Sequence, residues 1–133
     1  MTEQTGEMDK QEGGGYEASG DNRRYARYRV SLPVHVKLSS GEVAKAKAVE
    51  ISTDGIYIEY GASAEEGKVF EMLFDLPFAN DFKRVYVKSK VMRAVVIGGK
   101  DAYGIACNFV EFARDTDKVL EKYIELRSLK QAP

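Results

Sequence analysis

From Val30 onward the apolar residues fall on every second position, run after run, and that period of two limits the chain to strands with one buried face. Leu32, Val34, Val36 and Leu38 alternate with Ser31, Pro33, His35 and Lys37. A turn at residues 39–42 leads into Ala44, Ala46 and Ala48, alternating with Val43, Lys45 and Lys47 and carrying on to Ile51, so the first two runs predict a hairpin. Pro33 has no N–H to give to a ladder, and the first strand is therefore expected to begin at an edge. Residues 52–55 interrupt the pattern before Ile56, Ile58 and Tyr60 resume it; Phe70, Met72, Phe74 and Leu76 form a fourth run that stops at Pro77. Val85, Val87 and Val91 set the phase of a long fifth run over residues 83–97, and after a turn at residues 98–101 the segment 102–110 returns as its partner. The period then changes. Beyond Asp115, Thr116 and Asp117, which suit a helix N-terminus, Val119, Leu120, Tyr123, Ile124 and Leu129 recur at helical spacing. Six antiparallel strands with short turns close into a barrel or a sandwich, and a single apolar-striped helix must cover part of it to bury its own stripe.

The 133 residues suffice for one core without disulfides or metal. Cys107 is the sole cysteine and lies in the apolar phase of the sixth run, and there is neither a secretory segment nor an apolar run long enough to span a bilayer. A reduced, cytoplasmic setting without membrane insertion is expected. The net charge of −1 conceals a segregation: residues 1–22 carry six acids against Lys10, a net −5, which leaves the remainder at +4. Those first 22 residues, with glycines at 13–15 and no apolar period, cannot bury enough surface to offset the entropy of ordering. They read as a disordered acidic tail, and residues 23–129 as the folded unit.

Two short motifs carry the chemistry. Arg23 and Arg27 frame an R-x-x-x-R, with Arg24 beside the first, and one hairpin later Glu50, Ser52 and Gly55 form an acid-x-Ser-x-x-Gly. Guanidinium groups fork onto the O6/N7 edge of guanine and onto phosphate oxygens, a carboxylate accepts from the guanine N1–H and N2–H edge, and glycine permits close backbone approach. In this order the two motifs suggest a site for a guanine-bearing anion. Arg24 can meet a phosphate, stack on a guanine face, or simply be solvated. Tyr25 and Tyr28 are able to stack on a base, although Tyr28, where the linker enters the first strand, is expected to pack on the barrel.

With these motifs in this order, the chain resembles the PilZ family of receptors for the bacterial second messenger cyclic di-GMP over about residues 23–129. The run Arg27-Tyr28-Arg29-Val30-Ser31-Leu32-Pro33-Val34 and the later segments Phe74-Asp75-Leu76-Pro77 and Tyr103-Gly104-Ile105 belong to the same likeness. The resemblance implies a six-stranded antiparallel β-barrel of split-barrel type with one C-terminal helix. It also implies cyclic di-GMP bound by Arg23 and Arg27, which grip the ligand, and by the Ser52/Gly55 turn, which receives one guanine; Glu50 carries over by position alone, and Arg24 joins the ligand-binding candidates as a third guanidinium beside the pair. Glu50 departs from the family, which has Asp or Asn there. A module of this kind regulates motility, adhesion or exopolysaccharide through an effector protein, which the sequence does not identify. The alternative is a degenerate PilZ adaptor that has lost the ligand and works by protein contacts, and Glu50 is the feature in its favour.

Other chemistries find little support. His35 stands alone on a polar strand phase, whereas a tetrahedral zinc site needs three or four ligands. Cys107, on an apolar phase with no histidine near it in sequence, reads as a structural thiol. No catalytic constellation and no cofactor motif is visible, so an enzyme is not expected. A nucleic-acid-binding barrel is disfavoured because the folded part is only +4 and its basic residues lack an interleaved aromatic platform.

Overall fold

The computed structural model describes residues 25–99 and 101–130. The expected acidic tail, together with Arg23 and Arg24, lies outside the described residues. Six strands, β1 (Tyr28–Lys37), β2 (Val43–Ile51), β3 (Gly55–Tyr60), β4 (Val69–Pro77), β5 (Phe82–Ile97) and β6 (Ala102–Phe112), precede one helix, α1 (Thr116–Lys130). All neighbouring strands are antiparallel and the sheet closes on itself in the order β1-β2-β3-β6-β5-β4. Of the two all-strand architectures open to such a sequence, the chain forms the barrel.

The alternation read from the sequence is the inward phase of the barrel. Val34 and Val36 of β1, Ile56 and Ile58 of β3, Met72, Phe74 and Leu76 of β4, Val85, Val87 and Val91 of β5, and Ile105 and Cys107 of β6 are all buried in one core. Pro33 sits where its missing donor costs least: β1 pairs with β2 along most of its length, but its ladder to β4 runs only over Val34, His35, Val36 and Lys37. The first half of the strand is thus the one-sided edge the proline predicts. Tyr28 is buried, as its place at the strand entry suggests.

Four irregularities escape a simple period of two; one, where Lys88 pairs with Glu111 and Ser89 with Phe109, leaves Val110 as an extra residue on β6. Ala48 pairs with Ile58 while Glu50 pairs with Tyr57, so Val49 is an extra residue on β2; this is why Ala48 and Ile51, three positions apart, both point inward. On β5, Val91 pairs with Cys107 and Arg93 with Ala106, which makes Met92 the extra residue and turns Arg93 to the outer face. The β1 register likewise shifts between Arg29 and Leu32.

Helix α1 starts where Thr116 donates its hydroxyl to the carbonyls of Ala113 (2.8 Å) and Tyr86 (3.1 Å), tying the first turn to β5. Leu120 and Tyr123 are buried, Val119 and Ile124 pack partly, and the Tyr123 ring meets Phe78 edge-on at 6.1 Å. The expected stripe does not run the whole helix: Leu129 is 65% exposed and Leu126 37%. Arg127 holds this exposed end. Its guanidinium donates to the Tyr123 hydroxyl (2.8 Å) and to the Arg29 carbonyl (2.9 Å) and lies over the Tyr28 ring. None of the described helices is long and apolar enough to cross a membrane.

Candidate functional site

Ser52 begins the turn between β2 and β3 and spends its hydroxyl there. The backbone N–H groups of Gly55 (3.2 Å) and Asp54 (3.3 Å) donate to Ser52 Oγ, which in turn donates to Asp54 Oδ1 at 2.5 Å. The backbone closes the same turn through Ser52 N–H to the Gly55 carbonyl, and Phe109 N–H donates to the Asp54 carbonyl, which fastens the turn to β6. Ser52 is 3% exposed, so it shapes the site by fixing its neighbours. Gly55 is required for a related reason: a Cβ there would collide with the carbonyl oxygen of Cys107. The close approach that glycine permits is to the backbone of β6.

Beside this turn opens a cavity of about 220 Å³, bounded by Arg27 and Glu50 on one side, Asp54 and Gly55 at the turn, and Tyr57, Met92, Ala106 and Asn108 across the floor. Arg27 arrives from the segment before β1 and places Nη1 3.8 Å from Glu50 Oε1, with each side chain about one-third exposed (36% and 33%). The structure therefore brings together four of the six residues singled out by sequence: Arg27, Glu50, Ser52 and Gly55. The other two, Arg23 and Arg24, lie outside the described residues.

Sequence reading missed the rest of the floor. Glu50, Tyr57, Ala106 and Arg93 are register partners in succession across β2, β3, β6 and β5, a single row on the outer face of the barrel. Tyr57 is half-buried, and burial pushes its phenol up from the ordinary tyrosine value; the Arg93 charge opposes that shift, while Glu50 and Glu59 add to it. Its ring lies across Gly104, where a Cβ would overlap the phenol hydroxyl. Tyr57 follows Gly55 by two residues on the outward phase and was open to discovery. Met92 and Arg93 were not, because only the bulge in β5 directs them to this face.

The site combines a guanidinium and a carboxylate at the rim, an aromatic ring on the floor and the carboxylate of Asp54 at the turn, and Arg93 adds a second guanidinium beside the cavity, at the end of the row. Such a set can grip phosphate, accept from the edge of a purine and stack on its face. Among the described residues no group of three or more His, Cys, Asp and Glu is placed to hold a metal ion. Burial pushes the Cys107 thiol up to about 12, which keeps it protonated and unreactive.

A family model described as PilZ domain matches residues 21–126. No curated protein matches the chain. Among solved structures, the Bacillus subtilis inhibitor of motility (MotI/DgrA) superposes with a TM-score of 0.72 at 20% identity, over 85% of this chain and 54% of that one. The K. pneumonia MrkH–c-di-GMP complex gives 0.69 at 16% identity, over 83% and 54%. The PilZ domain of Escherichia coli YcgR with c-di-GMP gives 0.64 at 14% identity, over 83% and 94%. The chain thus spans about half the length of the first two (54% of each), and at these identities the likeness is one of fold.

Proposed function

Because the chain belongs to the PilZ domain family, we propose that it is a receptor module for cyclic di-GMP, with the ligand seated in the cavity beside the Ser52/Gly55 turn and residues 23–27 folding over it. The observation that carries this reading is the meeting of Arg27 and Glu50, from segments far apart in sequence, at the rim of a cavity whose turn is fixed by Ser52. Cyclic di-GMP is recorded with two proteins of the same fold, MrkH and YcgR.

The energetics favour opening of the Arg27–Glu50 pair. A partly exposed ion pair at 3.8 Å stabilises by roughly 0.2 to 1 kcal/mol. A bidentate arginine-to-guanine contact contributes about 1 to 3 kcal/mol of discrimination, so the ligand outcompetes Glu50 for Arg27. Arg23 and Arg24 would take the phosphates or a guanine face, Glu50 once released would accept from a guanine edge, and Tyr57 offers a ring for stacking. Ordering of the linker would then be the output, read by a protein effector in motility, adhesion or exopolysaccharide control rather than by nucleic acid, and in the cytoplasm. The working unit is residues 23–129, with no catalytic step and no cofactor.

Glu50 supports a second reading, an adaptor that holds Arg27 in its ion pair and acts through protein contacts alone. Calorimetric titration with cyclic di-GMP decides between them. Binding that weakens by about 1 to 3 kcal/mol in Arg23→Ala and in Arg27→Ala, with an unchanged melting temperature, supports the receptor. Absence of binding at millimolar ligand establishes the adaptor.

A further inference from the structure

The exposed end of α1 forms one wall of a groove of about 710 Å³, whose other wall is Pro77, Phe78 and Ala79 at the end of β4. Its floor is apolar, made by Phe78, Tyr123, Leu126 and Leu129, and its rim is basic, with Arg127 and Lys130 on the helix and Lys83 Nζ 5.1 Å above the Phe78 ring. Among the described residues lining it there is no carboxylate. An apolar floor within a cationic rim fits a short acidic segment bearing one or two apolar side chains.

We propose that the occupant is residues 12–21 of the same chain. In that stretch Glu12, Glu17 and Asp21 flank Tyr16, the one aromatic residue before Tyr25. Tyrosine presents an apolar body to a floor of leucine and phenylalanine and a hydroxyl to a basic rim, while the carboxylates meet Lys83 and Lys130. The point of attachment is close at hand. Arg127, a groove residue, donates to the Arg29 carbonyl and lies over the Tyr28 ring, so the chain enters β1 directly against the groove wall. From Asp21 to Tyr28 an extended chain reaches roughly 24 Å, well beyond the rise of about 6 Å across the last helical turn. Tethering at this distance gives an effective concentration on the order of millimolar, which favours the segment in cis over the same segment of a second copy.

The experiment uses the full chain with Ser19→Cys carrying a nitroxide; the buried Cys107, ionising only near 12, escapes the label. Docking at this groove does not depend on cyclic di-GMP, which is left out. Amide signals of Ala79, Leu126 and Leu129 are expected to lose most of their intensity at low salt, whereas Gly41, in the β1–β2 turn at the opposite end of the barrel, keeps its own. The double substitution Leu126→Asp/Leu129→Asp, on two exposed side chains, should restore the groove signals and leave the strand signals in place; Leu129→Asp alone serves if the pair disturbs the fold. Undiminished groove signals in the unsubstituted chain, or an equal loss in the substituted one, overturn the proposal. So does an equal loss when nitroxide and isotope label are carried by different molecules, since the occupant is then a second copy.

Discussion

Glu50 stands between Arg29 and Tyr57 in register and reaches toward Arg27, so one methylene decides how it divides its attention. Its contact with Arg27 is already long at 3.8 Å. Shortening the side chain in Glu50→Asp draws the carboxylate back from Arg27, loosens its hold on the guanidinium, and is expected to leave cyclic di-GMP binding as tight or tighter in a calorimetric titration. A loss of about 1.4 kcal/mol, tenfold in affinity, would instead mean that the site is built around the longer acid. A second residue tests the core. Ser89 is fully buried on the inward face of β5, between Val87 and Val91, and among the described residues its hydroxyl has no hydrogen-bond partner. An unsatisfied buried polar group costs on the order of 1 to 3 kcal/mol, so Ser89→Ala should raise the melting temperature without altering ligand affinity. An unchanged or lower melting temperature would show that the hydroxyl is satisfied in solution.

Two glycines of the β3–β6 ladder separate stability from binding at the scale of the element. A methyl group at Gly55 meets the carbonyl of Cys107, part of a backbone that ladders hold on both sides, and Gly55→Ala is expected to destabilise the barrel by about 1 to 3 kcal/mol in denaturant unfolding. A methyl group at Gly104 meets instead the phenol of Tyr57, the movable end of a side chain. Gly104→Ala should therefore swing Tyr57 out of its resting place and change ligand affinity more than stability; the reverse ranking of the two variants would mean that Tyr57 is fixed and structural. The same strands show what a sequence discloses. Uninterrupted alternation made β1, β3 and β4 legible, and the Ser-x-x-Gly turn was visible because its glycine and serine are there for backbone reasons. Bulges were not visible: an extra Val49 or Met92 leaves composition and hydrophobicity untouched, yet each reverses the facing of the residues after it. Arg27, Glu50, Ser52 and Gly55 could thus be named in advance, while Arg93 needed the register.

On the scale of the whole molecule, the closed ladder makes the barrel self-supporting, and α1 is an addition held at two places. Its first turn is tied by Thr116 to β5, and Leu120 and Tyr123 are buried against the barrel, but its last turns depend on Arg127. That residue bonds the Tyr123 hydroxyl and the Arg29 carbonyl while lying over the Tyr28 and Tyr123 rings, so it links the helix end to the strand that begins one residue after Arg27. A charged donor satisfying two acceptors contributes about 1.5 to 3 kcal/mol per bond at most, and less where water competes. Removing it in Arg127→Ala should therefore loosen a segment without unfolding the domain. Hydrogen exchange is the measurement that resolves the two: amides in the last two turns of α1 should exchange faster, whereas those of β4, β5 and β6, locked in ladders that close the barrel, should keep their protection. Uniform acceleration through the strands would show that Arg127 contributes to global stability and that helix and barrel open as one unit.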